Sequence, residues 1–168
     1  MMALLRLEPN SRSEIQPLDS APKAEPDPVP GLHIVPYRSE RIVAVVPRGH
    51  RLATRDAITL QDLAGESVIL REPGSKTRDR VERACGQHGV ALHCAMEINC
   101  REATLHAAAS GMGISFVTQI ECIPLPGLQE VPVDDALLSI GYALCCLDVR
   151  KDRPLIAALL GVALSPPR

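Results

Sequence analysis

The sequence predicts an α/β fold, and three observations carry that prediction. Arg41-Ile42-Val43-Ala44-Val45-Val46 is a continuous β-branched run of the kind that forms a strand covered on both faces. Strand, turn and helix then follow one another twice, from about Ser67 to Ser110. Gly89 and Gly111 stand where the two helices must stop. Alternation of this kind argues for a largely parallel sheet with crossover helices. A chain of 168 residues, 46% apolar and 23% charged, has room for one domain or two small lobes and can bury a core. With Tyr37, Phe116 and Tyr142 as its only aromatics, that core is aliphatic.

Residues 1–30 hold six of the 15 prolines, interleaved with Ser, Glu and Asp and without a sustained apolar period, so they are expected to be disordered. Leu32–Val35 and Arg41–Val46 read as two strands, the second stopped by Pro47-Arg48-Gly49-His50. Thr59 N-caps a short helix that ends near Gly65. Ser67–Leu70 is a strand, and Arg71-Glu72-Pro73-Gly74-Ser75-Lys76 turns the chain into a helix from about Thr77 to His88. Leu92–Ile98 is the next strand, Arg101–Ser110 the next helix, and Ile114–Val117 the strand after it. Strands near Leu128–Val133 and Ile140–Leu147 and a helix from about Pro154 to Leu164 complete the reading; Pro154 suits a first helical position.

Composition narrows the function. A net charge of −2 creates no field that would gather nucleic acid, and the Arg38, Arg41, Arg48, Arg51, Arg55 run is diluted by Glu40 and Asp56 into a solvated face. No apolar run approaches the ~20 residues of a membrane span, and the opening Met1–Leu5 is too short for a secretory core, so a cytoplasmic protein without membrane contact is expected. The six cysteines contain no C-x-x-C pair and are expected as free thiols. His93, Cys94 and Cys100 lack the second ligand pair of a zinc site, so neither metal nor cofactor is expected.

Two stretches could hold a ligand. Gly74-Ser75-Lys76-Thr77-Arg78 joins a strand to a helix, where unpaired N–H groups, the positive end of the helix dipole, two hydroxyls and two cations suit a small anion. It is not a P-loop, because only the first Gly and a Lys of that motif are present; a plain turn with Ser75 as N-cap explains it equally well. Asn99-Cys100-Arg101 opens the second helix at the carboxyl end of a strand, the edge at which open α/β sheets bind ligands. Catalysis is not expected. Cys85 and His88 share a helix turn without a third group to orient the base, His106 lies in an alanine-rich helix, and Glu72, Glu97 and Glu102 are dispersed.

Arg41–Ala53, Ile58–Gly65, Leu70–Arg78 and Arg101–Ala103 leading to Ala109–Ile114, in this order and spacing, closely resemble the effector-binding domain of LysR-type transcriptional regulators over about residues 31–165. The resemblance implies a type-2 periplasmic-binding-protein-like α/β fold of two lobes, with a small effector held in the cleft. It makes residues 47–140 a nearly complete second lobe, and residues 31–46 and 141–165 a partial first lobe. Gly74, Ser75, Thr77, Cys100 and Arg101 then match cleft-lining elements, and Phe116, Val117 and Thr118 border them; family members usually carry Ser where Cys100 stands. The helix-turn-helix of such regulators has no counterpart here. The expectation is therefore an effector-binding module that does not bind DNA by itself and acts with its own copies or full-length relatives. Gln119–Leu147 further resembles a branch associated with phosphonate utilisation, which points to a phosphonate or another small anion as effector. A stand-alone solute-binding module, or a dimerisation module without a ligand, are the alternatives.

Overall fold

The computed structural model describes residues 3–7, 28–134 and 138–164. Its elements run β1 (Ala3–Leu7), β2 (Leu32–Pro47), β3 (Ser67–Leu70), α1 (Lys76–Gln87), β4 (His93–Glu97), α2 (Arg101–Ala109), β5 (Ser115–Thr118), β6 (Leu128–Val131), β7 (Ser139–Leu147) and α3 (Pro154–Leu164). Short 3-10 turns sit at Gln61–Leu63, Gln119–Glu121 and Asp148–Arg150. The chain divides into two compact units: residues 1–39 with 140–168, and residues 40–139. That division falls inside β2, whereas the sequence reading put it at the end of this strand.

The first unit holds β1, the opening half of β2, β7 and α3. β1 pairs antiparallel with β7, from Ala3 opposite Cys145 to Leu7 opposite Gly141. This corrects the expectation that residues 1–30 are without structure: Ala3–Leu7 precede the first proline, and the open edge of β7 gives their backbone groups partners. The remainder of that expectation, from residue 8 to residue 27, lies outside the described residues. α3 carries no charged side chain and buries none of its residues; Leu155 is 82% exposed.

The second unit is built on the second half of β2, where Ile42–Val46 are all buried. β5 and β6 both pair antiparallel with β2, Val43 lying opposite Val117 and Ala44 opposite both Phe116 and Val131. β3 pairs in parallel with β4, and a parallel bridge joins Val68 to Ile114 just ahead of β5. Where a largely parallel sheet was expected, parallel pairing joins β3 to β4 and recurs in the isolated bridges Val68–Ile114 and Ile58–Val133, while β5 and β6 pair antiparallel with β2. The antiparallel pairs arise because β2, although read as two strands, is one long strand that both β5 and β6 return to meet. Pro36 lies within β2 without ending it.

The core follows from strand alternation. Val43, Val45 and Val117 point to one face, where Leu105, Ala107 and Ala108 of α2 pack with Ile69 and Leu128. The small alanines let α2 approach the strands closely. The helix expected from Thr59 is only the 3-10 turn Gln61–Leu63; the Thr59 hydroxyl does donate to Asp62 Oδ2 at 3.0 Å, and this carboxylate also accepts from the Thr59 N–H at 2.8 Å. No helix among the described residues is long and apolar enough to cross a membrane.

Candidate functional site

Parallel pairing decides where the site residues meet. β3 and β4 run in the same direction, Leu70 opposite Glu97, and the Ile98 N–H donates to the Leu70 carbonyl at 3.0 Å. β5 joins the opposite edge of β3 in the same direction, through reciprocal bonds of Ile114 with Ser67 and Ile69, and through the Ser115 hydroxyl on the Ile69 carbonyl at 3.1 Å. Three consecutive carboxyl ends therefore lie along one edge of the second unit. Gly74 and Ser75 follow the first, Cys100 and Arg101 follow the second, and Thr118 ends the third.

The turn after β3 depends on Gly74, whose φ of 88° lies in the left-handed region. Ser75 occupies the N-cap position of α1, but its side chain makes no cap hydrogen bond, so its hydroxyl is not committed to the helix. Thr77 is 6% exposed and turned into the protein. Arg78, read from the sequence as a source of charge for the turn, is held elsewhere. Its Nη1 donates to the Arg71 carbonyl at 2.8 Å and to Glu97 Oε2 at 2.6 Å, and its Nε to Glu82 Oε1 at 2.8 Å. These partners hold its pKa above the ordinary value, Glu97 contributing most.

Cys100 is the N-cap of α2 and exposed; its Sγ donates to Glu102 Oε2 at 3.2 Å, and its carbonyl accepts from the Thr104 hydroxyl at 2.7 Å. The Glu102 carboxyl lies below its ordinary value because its own N–H and the Cys100 thiol donate to it, with Arg101 and Arg71 adding attraction. Arg101 reaches across to the turn after β5, where its Nη2 stands 3.0 Å from Glu121 Oε1. Of the β5 residues, Phe116 is buried and Val117 belongs to the core cluster, which leaves Val117 only its backbone to offer a ligand. Thr118 is fully buried and its Oγ1 has no hydrogen-bond partner among the described residues. A buried hydroxyl without a partner is uncommon and costly.

The topology thus places Gly74, Ser75, Cys100, Arg101 and Thr118 at the carboxyl ends of three neighbouring strands, where Thr118, like Thr77, Phe116 and Val117, is buried. Glu102, which the sequence places at this helix start and among dispersed carboxylates, closes on the Cys100 thiol, and Glu121, which sequence reasoning misses, meets Arg101. Nothing in the local pattern marks Glu121, because its partner comes from another element.

A family model described as the LysR substrate binding domain matches residues 18–165. A RuBisCO operon transcriptional regulator of Allochromatium vinosum is 38% identical over 82 residues, covering 49% of this chain and 27% of its own length. The HTH-type transcriptional regulator CbbR of Rhodospirillum rubrum is 40% identical over 65 residues, 39% of this chain and 22% of CbbR. The chain spans about a quarter of the length of these curated relatives. Among solved structures, the regulatory domain of Synechocystis CcmR in complex with 2-PG superposes with a TM-score of 0.72 at 22% identity, over 97% of this chain and 71% of that one. The effector-binding domain of QuiR with shikimate gives 0.71 at 21%, over 82% and 66%. At these identities the two structures speak for the fold.

Proposed function

Because this chain belongs to the LysR substrate-binding domain family, we propose that its second unit is the effector-binding part of a transcriptional regulator, and that it binds a small anion at the edge formed by Gly74, Ser75, Cys100, Arg101 and Thr118. The observation that carries this reading is the partnerless, fully buried Thr118 Oγ1 at the end of β5, a strand that runs parallel to the β3 and β4 that lead into α1 and α2. Helix N-termini favour negative charge, and a hydroxyl that can donate supplies direction. The CcmR, QuiR and BenM structures are described with 2-PG, shikimate and benzoate, and the last two are carboxylates. A carboxylate or phosphate ester is therefore the class proposed, and the phosphonate expected from the sequence is one member of the panel. The reading assigns this chain no catalysis and no DNA contact of its own. Arg51, from the arginine run, is held by Glu66 and the Asp62 carbonyl.

The test is a thermal unfolding series of the full chain with shikimate, benzoate, 2-phosphoglycolate, phosphate and a simple phosphonate. A ligand that binds only the folded state raises the midpoint in proportion to its affinity. A midpoint raised by one anion and no longer raised in Ser75→Ala supports the reading. A midpoint that no anion moves overturns it.

A second reading, a dimerisation module, is favoured by β4, whose five residues are all exposed and which among the described residues pairs only with β3. Its association would survive Ser75→Ala, and a concentration series by sedimentation would display it.

A further inference from the structure

The α2 start carries carboxylates of this chain where an anionic effector would have to bind. Glu121 Oε1 stands 3.0 Å from Arg101 Nη2, with Glu121 82% shielded from solvent at its side chain and Arg101 64% shielded, so the pair is less screened than a surface ion pair. Glu121 belongs to the 3-10 turn Gln119–Glu121, which follows directly on Thr118 and so on the orphaned hydroxyl. The turn is tied at its other end by Gln119 Nε2 on Glu130 Oε1 at 3.0 Å. The Arg101 contact is thus one of the ties that set where this turn sits.

We infer that Glu121 is a built-in competitor for the effector: its carboxylate holds the Arg101 guanidinium until an anionic effector displaces it and frees the turn Gln119–Glu121. The inference rests on the anion site proposed above and adds its regulation. A guanidinium offers the same planar fork to a side-chain carboxylate as to a ligand carboxylate or phosphate, so the two compete for one set of donors. The exchange leaves the charge on Arg101 balanced throughout. It also gives binding a structural consequence, because a ligand shifts a conformational equilibrium only through its different affinity for the two states. Here the two states are the turn held on Arg101 and the turn released.

The experiment titrates the full chain and Glu121→Gln with benzoate and with inorganic phosphate by calorimetry. It also follows amide exchange in Gln119–Cys122 of the unaltered chain with and without benzoate. The neutral amide keeps the shape but competes weakly for the guanidinium, so Glu121→Gln should bind the preferred anion about tenfold more tightly, as expected for losing one charged contact. In the unaltered chain the anion should speed exchange in Gln119–Cys122 while slowing it in α2. Equal or weaker binding by Glu121→Gln, with exchange in the turn unchanged or slowed, overturns the competitor and leaves the anion site standing. Failure of both proteins to bind either anion overturns both. Should Glu121→Gln not fold, the exchange measurement on the unaltered chain decides alone.

Discussion

A Cβ placed on Gly113 would lie 2.6 Å from the Ser67 carbonyl oxygen. At that position φ is 153°, and the next residue, Ile114, exchanges hydrogen bonds with both Ser67 and Ile69. The absent side chain is what lets the chain return against β3 and align β5 with it.

Gly113→Ala is therefore expected to destabilise the second unit by about 2–4 kcal/mol, through both the clash and the strained φ. Denaturant unfolding measures it. Gly86→Ala is the control, because nothing lies within 4 Å of its added Cβ and φ there is ordinary; in the last turn of α1 that change should be neutral or stabilising.

Two leucines on helices should respond oppositely to truncation. Leu105 is 1% exposed in the core cluster, so Leu105→Ala should cost about 2–5 kcal/mol. Leu155 on α3 is 82% exposed, and Leu155→Ala should stay within about 0.5 kcal/mol. Equal losses from the two would mean that α3 is covered in solution.

Thr118→Val replaces the partnerless hydroxyl with an apolar group of the same shape. Without ligand the variant should unfold at a higher temperature, since relieving a buried unsatisfied group is worth about 1 kcal/mol. Its anion-induced rise in midpoint should shrink. A variant stabilised without loss of that response would remove Thr118 from the site.

Asp62 accepts from the Thr59 N–H and hydroxyl, and the first of these bonds chiefly holds its carboxyl below the ordinary 3.8. A depressed folded pKa adds stability that is fully present above the unfolded value and is lost as pH falls below about 3.8 toward the folded one. Asp62→Asn should lower stability at neutral pH by about 1 kcal/mol and flatten the acid limb of a stability–pH curve.

Thiol chemistry should separate the cysteines by environment. Burial pushes Cys85 and Cys122 up to about 11, and Glu130 adds to the rise at Cys122. At pH 8 only about one in a thousand of either is a thiolate, so iodoacetamide should modify the exposed Cys94 and Cys100 first. Peptide mapping reads the order, and a bound anion at the α2 start should slow Cys100 and spare Cys94.

The sequence by itself determined most of the elements and the line of site positions. The β-branched run Ile42–Val46 marks the second half of β2 because side-chain crowding favours extended backbone. Glycine after each helix marks where α1 and α2 stop, with φ of 70° at Gly89 and 84° at Gly111. Gly74, Ser75, Cys100 and Arg101 could be placed at strand–helix junctions because those signals are local.

What tertiary structure alone decided is pairing. That β5 and β6 both return antiparallel to β2, that Ala3–Leu7 find β7, and that Arg101 meets Glu121 are contacts between residues far apart in the chain. A local pattern records what a residue prefers. It does not record which distant backbone edge or charge satisfies it, because that depends on the free energy of the packed whole.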